Sequence, residues 1–279
     1  MPRTETWGFG AARPDGTGVL VRLTLHPEHG VAWYWAYLFV PGLGLVVVRD
    51  HEVPPPRRTT PDLEVRAEAL WAELVCEVPA EHWGIGLEAF GVVLDDPWDG
   101  LRGELGTRIA VGLDLEWEHL APEYRAADRE HQFGRVHGEL LVGRDRIPFD
   151  ALGTREHAAG QPPPTGRHRA AFAIGDERAA DLALDAGGGP ARGYVWQLGE
   201  PLRITDRVAL ELRPEGAEAG SGVPAFLRYV VDGKLEVEAE TAAFAAVPLP
   251  SGHVLLALIR VVADDAPGAG FAEWVRTRP

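Results

Sequence analysis

Hydrophobic residues in this chain recur mainly at every second position, and this spacing limits the fold more than any other feature of the sequence. Val19, Val21, Leu23 and Leu25 share one side of a run, and a similar alternation covers 109–117. Successive side chains of a strand point to opposite faces, so a period of two indicates strands, whereas a helix repeats about every 3.6 residues. The chain is therefore predicted to be all-β, with few short helices.

Further short alternating runs lie between Arg169 and Arg276, separated by turn-rich segments such as DAGGGP and DDAPGAG. Many short strands punctuated by Gly and Pro are typical of β-sandwiches and β-barrels. The most linker-like segment is QPPPTG, at 161–166. We therefore expect two lipocalin-like antiparallel barrels in tandem, over residues 1–165 and 166–279, and leave open whether the terminal strands cross between them.

Composition and charge narrow the class of protein. The 279 residues are 46% hydrophobic and 25% charged, as in folded globular chains. The formal charge of −15 would repel a nucleic-acid backbone, so no nucleic acid partner is expected. Cys76 is the only cysteine, and MPRTETWGFG lacks the apolar run of a signal peptide. Without a run of roughly 18 apolar residues no membrane span is expected, and the predicted location is cytoplasmic.

The stretch 131–160, HQFGRVHGELLVGRDRIPFDALGTREHAAG, combines strand patterns with an unusual group of polar residues. It predicts a strand over Phe133–Val142, a turn at Gly143 and a second strand over Arg146–Asp150. After that second strand, where a strand should be ending, a cation, an acid and an imidazole stand side by side: Arg155, Glu156 and His157. This group is the best candidate site in the chain.

The run Val31–Val40 is apolar on both faces. Trp33, Trp35 and Tyr37 share one face, and Tyr34 lies on the other. Such a strand is either covered on both sides or lines a cavity with its inner face. The aromatic face is therefore interpreted either as ordinary barrel core or as the wall of a ligand pocket.

Three landmarks carry a family resemblance: ETWGFG and RPDG near the start, the central EHQFGRVHGELLVGRDRIPFDALGTREHAAG, and GAGFAEWVR near the end. They resemble the AttH-like and carotenoid 1,2-hydratase-like superfamily of bacterial tandem lipocalin-type barrels. There an acidic-Gln pair precedes a V-x-G strand, a G-x-R-D-H-S-W-G motif follows, and a G-x-G-x-x-E-W segment closes the chain. This sequence departs from the central motif, with Glu156, Ala158 and Ala159 in place of Asp, Ser and Trp.

The resemblance implies barrels that hold an apolar ligand, in enzymes that hydrate or cyclise isoprenoid and polyketide substrates or in members without an assigned activity. Adding water to an isolated alkene requires an acid that protonates carbon and an aromatic pocket that tolerates the carbocation. If burial raises its pKa, Glu156 is the candidate acid, with His157 to orient it or accept a proton. Arg155 and Glu130 complete the candidate catalytic set.

The expected ligand-binding residues are an aromatic wall, two tryptophans that close the pocket from the chain ends, and a glutamine near the site: Trp33, Trp35, Tyr37, Trp7, Trp274 and Gln132. The shared motif also suggests that Glu273 anchors the last strand against an arginine such as Arg155. In the alternative interpretation, Arg155 and Glu156 form a structural ion pair between the barrels, and Glu130 lies in a surface turn.

Two functions follow from these residues. The first is a hydratase or cyclase that acts without a cofactor on an apolar isoprenoid or polyketide-like small molecule. The second is a non-catalytic carrier of a hydrophobic metabolite, which the loss of the hydroxyl and the indole from the central motif favours. A third possibility is that Arg155, Glu156 and His157 form only a clasp and that the protein scaffolds a partner. No metal site is predicted, because His26, His29 and His51 do not form a set with convincing ligand spacing.

Overall fold

The computed structural model describes residues 3–56, 62–103, 106–126, 129–160, 167–185, 192–213, 223–249 and 252–277. These ranges contain twenty β-strands and one short 3-10 helix, Pro97–Leu101. The all-β prediction is confirmed. Within the same ranges, no helix combines the length and the apolar character needed to cross a membrane.

The first sheet is antiparallel and nearly closes on itself. Its strands are β1 (Glu5–Ala12), β2 (Gly18–His26), β3 (Val31–Val40), β4 (Gly44–Val53), β5 (Leu63–Ala67), β6 (Leu70–Val78), β7 (His82–Leu94), β8 (Gly106–His119), β9 (Tyr124–Ala126), β10 (Arg129–Val142) and β11 (Asp145–Ala159). They are ordered β4-β3-β2-β1-β11-β10-β8-β7-β6-β5, and β9 pairs with β10. Because β4 also pairs with β7, at Val46 opposite Val93, eight of these strands form a barrel.

The second sheet is formed by the remaining strands. They are β12 (Arg167–Ile174), β13 (Arg178–Asp185), β14 (Arg192–Gln197), β15 (Arg203–Thr205), β16 (Val208–Arg213), β17 (Phe226–Val231), β18 (Leu235–Leu249), β19 (Gly252–Ala263) and β20 (Ala266–Thr277). Their order is β15-β14-β13-β12-β20-β19-β18-β17-β16. Each described strand pairs only within its own sheet. The first sheet ends at Ala159 and the second begins at Arg167, whereas the predicted boundary in QPPPTG lies outside the described residues.

The described residues form four hydrophobic cores. The smallest joins Phe133 of the first sheet to Tyr194 and Trp196 of the second. The other three follow from the two faces of the sheets. One fills the first barrel and includes Leu23, Leu113 and Trp117. A second lies inside the second sheet. The third lies between the sheets, where Tyr37 and Phe39 of the first meet apolar side chains of β18–β20 of the second. Both faces of β3 are thus covered, which was one of the two alternatives for its sequence, because one faces the barrel interior and the other faces the second sheet.

Candidate functional site

The charged segment Arg155–His157 lies inside a strand rather than after one. The prediction that the strand ends near Asp150 is wrong, because β11 continues to Ala159. Residues 153–158 are paired on both sides, by β1 and by β10, so the backbone stays extended. Neighbouring side chains on a strand point to opposite faces. Arg155 and His157 therefore face the interior of the first barrel, and Glu156 faces the second sheet.

Glu156 is the centre of a buried ionic contact between the two sheets. Arg169 of β12 donates from Nη1 to Glu156 Oε2, and Arg129 Nε lies 3.3 Å from Glu156 Oε1. Arg169 also forms a two-pronged pair with Asp181 of β13, at 2.9 and 3.0 Å. Arg22 of β2 donates to Glu273 of β20 over 2.9 Å. The last strand is thus anchored by Arg22 and not by Arg155.

These six side chains form what we call the inter-sheet network: Arg22, Arg129, Arg169, Glu156, Asp181 and Glu273. It holds three positive and three negative charges, so it is balanced. His131 borders it, with Nδ1 hydrogen-bonded to Tyr194 and 3.2 Å from Asp181. Burial lowers the pKa of His131 to about 4, which keeps this imidazole neutral at physiological pH.

Glu156 was expected to act as the acid only if burial raised its pKa, and its pKa is not raised. Burial alone would raise the pKa of this carboxyl, but Arg169 and two further arginines outweigh it and hold the pKa well below its usual range. Glu156 is therefore ionised at neutral pH. The proposed Arg155–Glu156 ion pair is also wrong, because the two side chains lie on opposite faces and Glu156 pairs with Arg169.

A second polar group lies inside the first barrel, around His157. The imidazole stacks on Trp7 of β1, with the ring centroids 4.8 Å apart. Its Nδ1 lies 3.7 Å from Glu130 Oε2, and its Nε2 lies 3.8 Å from Glu5 Oε2. We call Glu5, Trp7, Glu130 and His157, with the neighbouring Arg155 and Gln132, the barrel site. Glu130 is thus on a paired strand and not in a surface turn.

Arg155 connects this group to the aromatic interior. Its Nη2 donates to Glu123 over 2.7 Å and lies 3.4 Å from Gln132 Oε1. Its Cζ is 5.9 Å from the ring centroid of Trp83 and 5.7 Å from that of Trp117. Such cation–π contacts stabilise a buried guanidinium by roughly 0.5 to 2 kcal/mol. Arg155 is only 4% exposed, so its charge is held entirely by these neighbours.

Several buried polar atoms of the barrel interior lack a hydrogen-bond partner among the described residues. They are Arg155 Nε, Trp83 Nε1, Trp117 Nε1, Tyr34 OH and His157 Nε2. Buried polar groups in folded proteins are nearly always hydrogen-bonded, so these atoms require water molecules or a polar group of a ligand as partners. Sequence reasoning did not identify Tyr34, Trp83, Trp117 or Glu123 as site residues. The only signal was that the tryptophans lie on the apolar sides of β7 and β8, which is equally typical of core.

Of the predicted ligand-binding residues, only Trp7 and Gln132 lie in the barrel site. Trp35 and Tyr37 pack between the sheets, because the odd-numbered positions of β3 point away from the barrel interior. Trp33 lies between the rings of His26 and His51, at 4.2 and 4.4 Å.

Trp274 stacks on His168 in the core of the second sheet, at 4.8 Å. The structure therefore does not bring the predicted aromatic wall and the two terminal tryptophans together around one pocket. The expected cross-strand approach of the 130–132 cluster to Glu156 is found, since His131 lies directly opposite Glu156.

A small cavity lies beside the inter-sheet network. Its volume is about 40 Å³, and its lining includes Gly8, Gly10, Glu156 and Phe271. This volume holds a water molecule but not a metabolite, which normally needs at least about 300 Å³. Larger grooves of about 550 and 490 Å³ lie elsewhere, lined by Arg228 and Glu240 among others in the second sheet and by Trp71 and Glu73 among others in the first.

One trio on the first sheet brings metal-type ligand atoms together. Oxygen and nitrogen atoms of Glu77, His82 and Glu116 lie within 4.8 Å of one another. His82 Nδ1 is 3.0 Å from Glu77 and its Nε2 is 2.7 Å from Glu116. Each ring nitrogen of His82 thus already lies beside a carboxylate oxygen, so these contacts hold the trio together.

The fold is shared with solved structures of low sequence identity. A protein assigned as AttH from Nitrosomonas europaea aligns with a TM-score of 0.58 and 11% identity, over 99% of this chain and 94% of that one. Kievitone hydratase from Nectria haematococca aligns with a TM-score of 0.61 and 9% identity, over 98% and 88%. CghA aligns with a TM-score of 0.56 and 11% identity, over 99% and 89%. The AttH-like resemblance is confirmed at the level of fold.

Sequence comparison places the chain in a family without an assigned activity. No curated protein matches this sequence. A family model described as a domain of unknown function, DUF7064, matches residues 3–278, which is nearly the whole chain. The chain therefore belongs to the DUF7064 family.

Proposed function

We propose that this protein is a hydratase or cyclase that acts on an apolar isoprenoid or polyketide-like small molecule, without a cofactor, at the barrel site. One observation carries the proposal. His157 lies between the carboxylates of Glu130 and Glu5, stacked on Trp7, at the polar end of an otherwise apolar barrel. An imidazole next to carboxylates is a common general acid–base arrangement. Its aromatic surroundings suit an apolar substrate.

The proposed roles follow from the contacts. His157 takes a proton from water or from the substrate and returns it to the product, and Glu130 orients its ring. Trp7, Trp83 and Trp117 form the aromatic walls, which pack against the apolar body of the substrate. Arg155 and Gln132 hold polar atoms of the substrate. A positioned general acid–base contributes about 10²- to 10⁴-fold to a rate.

Glu156 has a structural role in this proposal. It is ionised, and it lies on the opposite face of β11 from His157. Its three arginine neighbours come from β2, β10 and β12, so it joins the two sheets. A carboxylate held in this way is a poor proton donor and a strong clasp.

The reaction type is also supported by the fold. One structural neighbour is named kievitone hydratase, although at 9% identity this likeness concerns the fold alone. The chemistry proposed here therefore depends on the barrel site of this chain, and the neighbour only shows that the fold is compatible with a hydratase.

A test of the proposal uses a panel of prenylated and polyketide-derived phenols in water enriched in ¹⁸O and in deuterium oxide. Hydration adds labelled oxygen to the product, whereas cyclisation keeps the formula and can exchange a proton for deuterium. We expect His157→Ala and Glu130→Gln to lower kcat by about 10²-fold or more. Asp150→Asn, an exposed carboxylate elsewhere on β11, is the matched control. Turnover that both site variants retain would contradict the proposed roles.

A carrier of hydrophobic metabolites is the second candidate function. It is favoured by Ala158 and Ala159, which stand where the superfamily motif has a hydroxyl and an indole. Mass spectrometry of apolar molecules that co-purify with the protein distinguishes the two functions. A ligand recovered unchanged after prolonged incubation with protein and water supports the carrier, and a hydrated or cyclised product supports the enzyme.

A further inference from the structure

The unpartnered atoms of the barrel interior are mostly hydrogen-bond donors. Indole Nε1 and guanidinium Nε carry N–H groups that cannot accept a hydrogen bond. Trp83, Trp117 and Arg155 each direct one such group into a region that is at least nine-tenths buried, and none has an acceptor among the described residues. A group that satisfies them must supply an oxygen acceptor. A pure hydrocarbon would leave all three donors unpaired.

The three donors belong to one cluster. The Cζ of Arg155 lies within 6 Å of both indole ring centroids, so the guanidinium is close to both Trp83 and Trp117. Trp83 and Trp117 are directly opposite each other on β7 and β8. The phenol of Tyr34, also buried and without a described partner, faces the same interior.

The charges around this cluster favour an uncharged acceptor. Arg155 is already paired with Glu123 at 2.7 Å, so its positive charge is matched. Glu130 and Glu5 lie on either side of His157. A carboxylate ligand at the three buried donors would lose its hydration and place a further negative charge next to Glu123, whereas a ketone oxygen accepts the same hydrogen bonds without that cost.

Resting on the proposed function, we infer that the substrate carries an uncharged carbonyl conjugated with the alkene that reacts, and that Trp83, Trp117 and Arg155 receive its oxygen. The acid chemistry of the site points the same way. Protonation of an isolated alkene needs a strong carbon acid, and Glu156 is ionised and on the other face of β11. A conjugated alkene needs only a polarised carbonyl and a base near the remote carbon.

For hydration, the step balances without any further reactant. Water forms a C–O bond to the β-carbon, and its proton passes to the imidazole of His157. The π-electrons of the alkene move onto the carbonyl oxygen, which becomes an enolate held by the three N–H donors. The α-carbon then takes the proton from His157, and the carbonyl is restored. The net change is the addition of one water molecule.

The test compares three probes of matched size on the full chain: acetophenone, isopropylbenzene and benzoate. They differ only in carrying a ketone, a hydrocarbon group or a carboxylate. Acetophenone labelled with ¹³C at the carbonyl gives a direct signature, because hydrogen bonding to the oxygen moves the ¹³C resonance downfield. We expect acetophenone to bind more tightly than the other two and to show this shift.

Conservative variants link the effect to the donors. Trp83→Phe and Trp117→Phe remove an N–H and keep an aromatic ring, and each is expected to weaken acetophenone binding about 2- to 10-fold and to reduce the downfield shift. Isopropylbenzene binding should not change. Trp196→Phe, at an equally buried tryptophan of the second sheet, is the matched control, and circular dichroism checks the fold of every variant.

The outcomes separate this inference from the proposed function. Equal binding of acetophenone and isopropylbenzene, unaffected by either variant, overturns the carbonyl subsite but leaves an apolar binding site intact. Tightest binding by benzoate overturns the preference for an uncharged group. Absence of binding by all three at millimolar concentration also overturns the inference. The roles of His157 and Glu130 are tested independently by their effects on turnover.

Discussion

Replacing Glu156 with Gln should destabilise the protein strongly, because it unbalances the inter-sheet network. The network changes from three positive and three negative charges to three and two, in a region where the Glu156 side chain is only 11% exposed. Removal of one partner from a buried ion pair typically costs about 3–5 kcal/mol. The glutamine oxygen can still accept a hydrogen bond from Arg169, so we expect a loss near the lower value, about 3 kcal/mol.

The loss is measured by urea unfolding and by thermal unfolding, both followed by circular dichroism at pH 7. For a domain of this size, about 3 kcal/mol corresponds to a fall in Tm of roughly 6–12 °C. The matched control is Asp150→Asn, which makes the same chemical change on the same strand as Glu156. Asp150 is paired with Arg135 of β10, and this pair is exposed. Exposed pairs contribute about 0–1 kcal/mol, so Tm should fall by only a few degrees.

The pH dependence gives a second criterion. The pKa of Glu156 is depressed in the folded protein, so its stabilising contribution is present above the unfolded value, near about 4.3, and is lost as the pH falls below that value towards the folded one. The difference between the wild type and Glu156→Gln should therefore shrink below about pH 4. A loss at pH 7 no larger than that of the control, or one that persists unchanged at pH 3.5, would refute the account of Glu156 as an ionised clasp.

Three further predictions concern stability. Burial lowers the pKa of His168 to about 4 in the folded protein, so as the pH falls the unfolded chain binds a proton at this residue before the folded chain does. The stabilisation from neutral His168 is therefore complete above about pH 6.5 and is lost between about pH 6.5 and 4. His168→Gln should reduce the slope of unfolding free energy against pH by about 1 kcal/mol per pH unit near pH 5, as measured by urea unfolding at a series of pH values. Gly153→Ala should cost about 1–3 kcal/mol in urea unfolding, because a Cβ there would lie 2.7 Å from the Gly10 oxygen, whereas Gly84→Ala, with no contact under 3.6 Å, serves as the control. Phe271→Ala should lower the free energy of unfolding by about 3–5 kcal/mol, because Phe271 packs in the core between the sheets. Calorimetry should then show separate unfolding transitions for the two sheets. A single transition with an unchanged Tm would contradict this.

The strands were predictable from the sequence wherever one face alone is buried or both faces are continuously apolar. The run Val31–Val40 coincides with β3, and the strand predicted over Phe133–Val142 lies within β10, which begins at Arg129. The end of β11 was not predictable from its own residues. Arg155–Ala159 stays extended because β10 pairs with it on one side and β1, more than 140 positions away in the chain, pairs with it on the other. A polar segment with no local strand signal is thus held in the sheet by non-local partners.

The candidate site was predictable only in part. Arg155, His157, Glu130 and Gln132 were identified, and the structure places their side chains in the same barrel interior. The partners of Glu156 were not, because Arg169, Arg129 and Arg22 come from three separate strands and resemble surface arginines in the sequence. The sign of the pKa shift at Glu156 depends entirely on those partners. Burial could be anticipated from the sequence, but the charges that outweigh it could not.

The strand period also explains how one short segment serves two purposes. Arg155 and His157 enter the barrel, and Glu156 between them enters the interface with the second sheet. A shift of register by one residue would place the carboxylate among Trp83 and Trp117 and the guanidinium among the arginines of the network, leaving unmatched charge on both faces. The barrel site and the inter-sheet network therefore fix the register of β11 together. The clasp between the sheets is what holds His157 and Arg155 in the geometry that the proposed chemistry requires.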